Sequence, residues 1–320
     1  MGNQVKMDNI AVEKIIENIE RVIIGKRKVI ELVVIALLAE GHVLIEDVPG
    51  VGKTSLVKAL AKSVNLKFKR IQFTPDLLPS DVIGITIYNQ LKNDFEFKPG
   101  PIMSQIVLAD EINRTSPKTQ SSLLEAMEER QITVDGVTYS LPKPFMVLAT
   151  QNPIEYEGTF RLPEAQLDRF MIKIEIGYPD EYQEMRILKN FEREDPLESL
   201  FPVADAEDIK EMQVKVKSVY VDDLVRNYIV TLVANTRKSK AMRLGASPRA
   251  TVNLMRAAQA KAFCEGRNYV LPDDVKELAV PVLSHRIILK NEERFEGLDE
   301  KMFIKNIVDT TKVPVIKRYA

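Results

Sequence analysis

One nine-residue segment constrains this chain more than any other, because it joins a predicted strand to a predicted helix and contains residues suited to phosphate. The segment reads EDVPGVGKT over residues 46–54. Its glycines let backbone N–H groups approach phosphate oxygens, and the helix that follows directs its positive dipole end towards them. We therefore predict a phosphate-binding loop. The residues expected to contact a nucleotide there are Pro49, Gly50, Val51, Gly52, Lys53, Thr54 and Ser55.

The loop departs from the general pattern at its first position. The pattern G-x-x-x-x-G-K-[ST] requires glycine at position 47, where this chain has Asp47. Gly50 and Gly52 still supply the sharp turn between strand and helix, so the prediction stands. Lys53 is expected to reach the β and γ phosphates, and the Thr54 hydroxyl is expected to ligate Mg²⁺.

Two further predicted strands end in polar residues that suit the same site. Residues 106–110 form an apolar run that ends in Asp110 and continues into Glu111. Asp110 is expected to bind Mg²⁺ directly or through water, as in a Walker B motif, and Glu111 to polarise the attacking water. The alternative is a solvated acidic turn. A strand over 145–151 brings Asn152 to the carboxyl edge of the sheet, where ligands of parallel sheets bind.

Apolar spacing predicts a parallel sheet in the first half of the chain. Short apolar runs alternate with amphipathic helices, which is typical of parallel strands covered on both faces. The predicted strands are 42–46, 66–73, 106–110, 145–151 and 170–176, and the predicted helices between them are 53–63 and 117–129. Two earlier helices are predicted at 11–23 and 26–40, with Gly41 at the C′ position of the second.

Beyond Pro179 the strand signal stops and only helical patterns follow. They lie around 180–191, 206–217, 222–237, 247–265 and 272–289. A chain of 320 residues suits two domains at about 150 residues each. We therefore predict an α/β nucleotide-binding core with N-terminal helices over residues 1–178. A smaller all-α domain with a C-terminal segment is predicted over residues 179–320.

Composition limits the remaining possibilities. The formal net charge of −1 gives no overall attraction to nucleic acid or anionic lipid. The single cysteine, Cys264, excludes an intrachain disulfide and a multi-cysteine metal site, and we expect it to be buried. The N-terminus lacks signal-peptide features, and the apolar run 32–39 is far shorter than the roughly 20 residues of a membrane span. We expect a cytoplasmic protein without direct membrane insertion.

Several linked motifs resemble those of one family, the MoxR family of AAA+ ATPases. They are GHVLIEDVPGVGKT (41–54), QFTPDLLPSD (72–81), FKPGPI (97–102), LADEINR (108–114), LLEAMEER (123–130), ATQNP (149–153), LPEAQLDRF (162–170) and GASPRA (245–250). The resemblance covers roughly residues 20–290 and includes the aspartate in the phosphate loop. It implies an AAA+ P-loop core with a helical lid, ATP and Mg²⁺ as cofactors, and a homo-oligomeric ring, commonly hexameric, with nucleotide between subunits.

The resemblance also implies roles for single residues. Asn152 resembles the sensor-1 residue. Arg169 resembles the arginine finger, which completes a neighbouring subunit's site and neutralises charge in the transition state. Arg249 resembles sensor 2, which couples the position of the lid to the γ-phosphate. Ile24 and Gly25 belong to a segment that resembles the one beside the adenine.

Other arginines compete for these roles. Arg161 is a second candidate for the finger, and Arg114 is a candidate interface residue. For Arg169 and Arg249 the alternative is a surface salt bridge.

Two insertions resemble projections of this clade. Residues 83–101 are similar to its helix-2 insert. Residues 130–141 resemble its pre-sensor-1 hairpin, with Asp135-Gly136 as a favoured type I′ turn. In ring ATPases such projections face the pore or a partner.

The function that the resemblance implies is an ATP-driven, chaperone-like remodeller of protein complexes. Such relatives also insert metal cofactors, and their client proteins are often associated with a partner that carries a von Willebrand A-type domain. The alternatives are a helicase-type nucleic-acid motor and a nucleotide-binding scaffold without turnover. Residues 131–141 contain no Lys or Arg, which counts against nucleic acid, and the basic cluster 26–28 is expected to be a solvated face. The presence of Glu111, Asn152 and Arg169 counts against the scaffold.

Overall fold

The computed structural model describes residues 2–152, 160–192 and 195–314, with side chains from residue 9 onwards. Pro153 of the predicted ATQNP motif and the last six residues of the C-terminal segment lie outside the described residues.

The first part of the chain alternates strands and helices. Its elements are α1 (Gly2–Glu20), α2 (Arg27–Leu38), β1 (Val43–Glu46), α3 (Lys53–Ser63), β2 (Phe68–Gln72), α4 (Pro79–Ile83), β3 (Gly84–Asn89), β4 (Asp94–Pro99), β5 (Ile106–Asp110), α5 (Pro117–Glu129), β6 (Gln131–Val134), β7 (Val137–Ser140), β8 (Met146–Gln151), α6 (Glu164–Leu167) and β9 (Ile172–Ile174). The predicted division between residues 178 and 179 falls after β9 and stays a prediction.

The second part is mainly helical. Its elements are α7 (Glu181–Phe191), α8 (Ala206–Ser218), α9 (Asp223–Lys238), β10 (Met242–Leu244), α10 (Pro248–Cys264), α11 (Pro272–Leu283), β11 (Ile288–Leu289), α12 (Asn291–Phe295) and α13 (Glu300–Thr310).

Five parallel strands form the central sheet, in the order β2-β5-β8-β1-β9. Side chains alternate between its two faces, so Val43 and Ile45 join one apolar cluster with α2 and α3 while Leu44 joins a second cluster with α5. Both faces are therefore buried, as near-continuous apolar strands require. The predicted α/β core with a helical C-terminal part is confirmed.

Serine–proline pairs begin two helices that matter for the site. Ser116 accepts a hydrogen bond from the Thr119 N–H at the start of α5, and Ser247 accepts one from the Ala250 N–H at the start of α10. Each serine satisfies a backbone donor that has no partner within its helix. These caps fix where α5 and α10 begin.

The end of α2 differs from the prediction. Glu40, with φ of 56°, occupies the left-handed C′ position. Gly41 follows at C″, and its N–H donates to Ala36 O at 2.7 Å, as in a Schellman motif. The prediction of Gly41 at C′ was therefore wrong by one residue. Gly41 is needed for another reason, since a Cβ atom there would lie 2.5 Å from Met171 Sδ.

The predicted helix over 272–289 is too long. Helix α11 ends at Leu283, and β11 then pairs antiparallel with β10, so the helical part also contains a short two-stranded ribbon. The cause is tertiary, because His285 Nε2 bonds to Phe170 O at 2.9 Å and Arg286 donates to Met171 O at 3.1 Å. These contacts fix the chain against the start of β9 and override the local helical pattern.

Both predicted insertions form antiparallel hairpins. β3 pairs with β4, and β6 pairs with β7 through a turn in which Asp135 and Gly136 have φ of 50° and 80°. Both values are positive, as a type I′ turn requires. Phe97 and Tyr139 stack with centroids 4.1 Å apart, which joins one hairpin to the other.

Candidate functional site

The predicted phosphate loop connects β1 to α3, and its backbone geometry suits phosphate. Gly50 and Gly52 have φ of 86° and 90°, a region that glycine adopts without steric cost. Helix α3 begins at Lys53, directly after Gly52. The first N–H groups of a helix have no intrahelical partner, so those of α3 are available to an anion.

Asp47 explains why the loop departs from the general pattern. Its Oδ2 accepts hydrogen bonds from the N–H groups of Ile176 and Gly177, both at 2.7 Å, and its Oδ1 accepts one from Val48 at 2.9 Å. The side chain is buried. Glycine cannot make these contacts, so Asp47 ties the loop to the segment that follows β9.

Lys53 lies along its own loop. Its Nζ donates to Asp47 O at 2.7 Å. The sequence prediction places this ammonium on the β and γ phosphates of a nucleotide, and the short tether to the backbone keeps it within the loop that would hold them.

The segment predicted beside the adenine does lie next to this loop. A Cβ atom built on Gly52 would be 3.9 Å from Ile23 Cδ1. Ile24 is buried, and Gly25 has φ of 73° with the Gln183 side chain packed directly against it. The structure therefore brings Ile24, Gly25, the phosphate loop and the start of α7 together.

Asp110 ends β5, and both of its carboxylate oxygens accept hydrogen bonds. Thr150 Oγ1 donates to Oδ1 at 2.6 Å, and Arg70 donates to Oδ2 through Nε at 3.0 Å and Nη2 at 2.6 Å. Only 8% of the residue is exposed. The guanidinium of Arg70 balances the buried negative charge, which would otherwise be costly.

Glu111 follows with a left-handed backbone, at φ of 57°. Its N–H donates to Thr150 Oγ1 at 2.8 Å, and its Oε2 accepts from Gln72 Nε2 at 2.8 Å. Arg114 Nε lies 3.3 Å from the same Oε2. Thus the predicted water-activating carboxylate is held by an amide and a cation, and Arg114 belongs to this edge of the sheet.

Asn152 follows β8, which lies between β5 and β1. The parallel register pairs Glu46 with Gln151 and Gln72 with Asp110, so the strands end at the same level. Asn152 is buried at this level. The structure therefore gathers the phosphate loop, Asp110, Glu111 and Asn152 at the carboxyl edge, where ligands of parallel sheets bind.

Arg169 and Arg249 lie at the opposite edge. Arg169 precedes β9, and nearby Met171 donates to His42 O at 2.8 Å, at the point where β1 begins. Arg169 Nε is 3.1 Å from Glu128 Oε2, and Arg249 Nη2 bonds to Glu128 Oε1. The structure therefore brings these two arginines to each other, and it does not bring Arg249 to the phosphate loop of its own chain.

Arg161, the competing finger candidate, is placed differently. It lines a cavity of about 710 Å³ together with Asn152 and Arg286. This cavity lies between the sheet and residues 284–301, and the pair formed by Arg169 and Arg249 is not part of its lining.

The donors at the carboxyl edge fit Mg²⁺. The Asp110 carboxylate and the Thr54 hydroxyl offer the hard oxygen ligands that Mg²⁺ prefers, and Mg²⁺ usually takes its remaining ligands from phosphate and water. When bound, the ion would neutralise charge on the β and γ phosphates.

One residue of the basic cluster 26–28, Arg27, is neutralised within the chain. Arg27 contacts three carboxylates, those of Glu13 at 2.6 Å, Glu20 at 2.9 Å and Glu31 at 3.0 Å. These contacts raise the pKa of Arg27 above its usual value, hydrogen bonding to Glu13 being the largest cause. Lys26 Nζ donates to Tyr178 O at 2.8 Å. Arg27 therefore belongs to an intramolecular ion-pair network, whereas Lys28 is exposed to solvent.

Sequence reasoning missed several polar partners. Arg70 and Gln72 stand at alternate positions near the end of β2, which is a visible signal, but their importance depends on β2 lying beside β5. Thr150 was hidden within an apolar strand. Glu128 lies in a quoted motif, yet nothing local indicates that it contacts Arg169 and Arg249.

Comparison with known proteins identifies the class. Residues 42–172 match the ATPase family associated with various cellular activities (AAA), and residues 234–306 match the AAA lid domain. A parallel sheet with a phosphate loop after β1, followed by a helical lid, defines an AAA+ ATPase. Within the described ranges, no helix combines the length and apolar character needed to cross a membrane.

Relatives identify the family. The uncharacterized protein YeaC of Bacillus subtilis is 55% identical over 302 residues, which covers 94% of both chains. Chaperone MoxR1 of Mycobacterium tuberculosis is 39% identical and covers 95% of this chain and 82% of its own. A solved structure of a candidate ATPase from Cytophaga hutchinsonii superposes with a TM-score of 0.91 at 41% identity, and 98% of each chain is covered. The chain belongs to the MoxR family of AAA+ ATPases.

Proposed function

We propose that this protein hydrolyses ATP with Mg²⁺ at sites between the subunits of a homo-oligomeric ring of six. We also propose that it remodels protein complexes in the cytoplasm. The observation that supports it is the separation of the two half-sites. The phosphate loop, Asp110, Glu111 and Asn152 lie at one edge of the sheet, and Arg169 lies at the other. Arg169 therefore does not lie beside the phosphate loop of its own chain. A second copy can supply this arginine.

In this proposal the chain's residues have separate tasks. Lys53 and the N–H groups of the loop bind the phosphates, and Thr54 and Asp110 would hold Mg²⁺, which would neutralise phosphate charge. Glu111 takes up the proton of the attacking water, and Asn152 orients that water. Arg169 from the neighbouring subunit neutralises charge that develops on the transferred phosphoryl group.

The placement of Arg249 refines its predicted role. Because Arg249 shares Glu128 with Arg169, we propose that it also acts across the interface rather than on the nucleotide of its own chain. Its position at the start of α10 in the lid still links nucleotide state to lid position.

The remodelling activity rests on the relatives. Two of them are named MoxR, and one is named a chaperone. We propose that its clients are protein complexes, including ones that depend on a metal cofactor. We also propose a partner with a von Willebrand A-type domain. The two hairpins, joined by the Phe97–Tyr139 stack, are the candidate surface for transmitting movement to the client.

The first experiment measures the ATPase rate per subunit against protein concentration, with Mg²⁺ and no added partner. A rate that rises and then saturates is expected, because sites completed between subunits need association. The Lys53→Ala variant controls for contaminating ATPase. A rate that is constant while sizing shows only monomer would contradict the proposal of shared sites.

A further inference from the structure

The carboxylate of Glu128 lies between two guanidinium groups. Its Oε2 is 3.1 Å from Arg169 Nε, and its Oε1 bonds to Nη2 of Arg249. The three residues come from the end of α5, the segment before β9 and the start of α10. Three separate elements therefore meet at one side chain.

A second carboxylate anchors this arrangement. Asp168 Oδ2 lies 4.0 Å from Arg249 Nε and accepts a 2.9 Å hydrogen bond from Ser247 Oγ. Its Oδ1 accepts from Arg286 Nε at 2.9 Å. Arg286 is buried and also donates to backbone oxygens of the core, so Asp168 is fixed to rigid structure. Three arginines and two carboxylates leave the cluster with a net positive charge.

The contacts occupy only part of each guanidinium group. Arg169 contacts Glu128 through Nε. Its two Nη atoms have no hydrogen-bond partner among the described residues. Arg249 is held through Nη2, and Nε faces Asp168. Both side chains remain partly exposed, at 27% and 42%. Paired guanidinium groups with free N–H donors are well suited to phosphate oxygens.

We propose that Glu128 is a positioning residue, which holds Arg169 and Arg249 side by side as one site for the terminal phosphate of a nucleotide bound to a second copy of this chain. The inference rests on the proposed function and adds a residue to it. Two neighbouring guanidinium groups repel each other, and the shared carboxylate offsets that repulsion. Without it the arginines separate, and each approaches the phosphate alone.

The test uses full-length variants. Glu128→Gln removes the charge and is expected to lower kcat by about 10- to 100-fold, as for misplaced catalytic groups. The affinity for a fluorescent ATP analogue should change less than about twofold, because the phosphate loop of the same chain is intact. Glu128→Asp keeps the charge with a shorter reach and should give an intermediate rate.

A matched control is available on the same helix. Glu125 is exposed, lies one turn before Glu128 and has no ion pair among the described residues. Glu125→Gln makes the same charge change and should hydrolyse ATP at the wild-type rate. Thermal unfolding of each variant separates a loss of folding from a loss of positioning.

Mixed oligomers give a readout that a general structural role would not change. Glu128→Gln subunits have an intact phosphate loop, and Lys53→Ala subunits have intact arginines, so mixing them should restore turnover at mixed interfaces. Mixing Glu128→Gln with Arg169→Ala should restore nothing, because both lack the same half of the site.

Three results would overturn the inference while leaving the proposed function intact. They are wild-type or higher turnover by Glu128→Gln when Arg169→Ala is inactive, rescue of Glu128→Gln by Arg169→Ala, and loss of rescue by Lys53→Ala in a variant that folds normally. A wild-type protein without ATPase activity would instead contradict the proposed function and, with it, the inference.

Discussion

Gln72 Nε2 donates a 2.8 Å hydrogen bond to Oε2 of Glu111, the carboxylate that we assign to water activation. Arg114 Nε lies 3.3 Å from the same oxygen. Both contacts fix the direction of the carboxylate, so a turn of Glu111 towards the attacking water would have to break at least one of them. The network at the end of β2 therefore bears directly on how fast Glu111 acts.

Glu111→Gln should bind ATP but lose hydrolysis by about 100-fold or more, since general-base catalysis contributes about that much.

Gln72→Ala should have the opposite effect on the rate of ATP hydrolysis. If Glu111 turns towards the water during catalysis, losing one hydrogen bond that opposes the turn raises turnover by up to about tenfold. Steady-state ATPase assays and nucleotide titrations measure both effects. A fall in turnover for Gln72→Ala would show that the amide assists catalysis.

Asp47→Gly restores the general pattern of the phosphate loop and should nevertheless damage this protein. It removes three hydrogen bonds, to Val48, Ile176 and Gly177. Two of these bonds cross to the segment after β9. Because hydrogen bonds to charged groups contribute about 1.5–3 kcal/mol each, we expect a loss of about 3–6 kcal/mol in the free energy of unfolding. Nucleotide affinity should fall as the loop loosens.

Asp47→Asn is the matched variant for this change. It keeps an acceptor oxygen without the charge and should fall between wild type and Asp47→Gly in denaturant unfolding. Equal stability of wild type and Asp47→Gly would mean that the segment after β9 does not depend on Asp47.

Arg169→Ala should retain ATP binding and lose turnover by about 1,000-fold, the scale on which arginine fingers act. Mixing it with Lys53→Ala subunits should restore activity, because each variant supplies the half-site that the other lacks. The measurement is ATPase activity across mixing ratios at constant total protein. Normal turnover by pure Arg169→Ala would remove Arg169 from the site and leave Arg161 as the candidate.

Elements whose signal is local were predictable from the sequence. The predicted strand 106–110 and helices 53–63 and 117–129 coincide with β5, α3 and α5. Apolar periodicity is enough for these elements, together with Gly52 before α3 and Pro117 at the start of α5. The helix predicted over 272–289 failed because His285 and Arg286 bind backbone oxygens near β9, more than 100 residues earlier.

The residues of the candidate site also divide into those with a local sequence signal and those placed by tertiary contacts. The placement of Glu111 and Asn152 at the carboxyl edge was predictable, because each directly follows its own strand and parallel strands end at one edge. Partners from other elements were not, since Arg70 and Asp110 are 40 residues apart and Glu128 and Arg249 are 121 apart. Strand order and lid packing decide those contacts, and neither follows from local pattern.

The buried histidine His42 predicts how stability depends on pH. Its Nδ1 accepts a hydrogen bond from the Val147 N–H at 3.0 Å, and its Nε2 lies 3.1 Å from Met127 O. Protonation would destroy the first contact. Burial, aided by nearby Arg130, lowers the pKa of His42 to about 3.

In the unfolded chain, the imidazole of His42 takes up a proton below its ordinary pKa of about 6.5. In the folded protein it stays neutral at the same pH. The contribution of His42 is constant above that pH and is lost progressively as the pH falls towards 3. Between pH 7 and pH 5 the free energy of unfolding should fall by about 2 kcal/mol from this residue. His285 adds a loss of the same sign, because burial also lowers its pKa.

Denaturant unfolding of wild type and His42→Gln at pH 7 and pH 5 isolates the effect of His42. The variant is less stable at pH 7, but its loss between the two pH values should be about 2 kcal/mol smaller, since glutamine does not titrate. His285→Gln serves as the parallel case at the second buried site. Equal pH dependence in wild type and His42→Gln would mean that the folded protein accommodates a charged imidazole at this position.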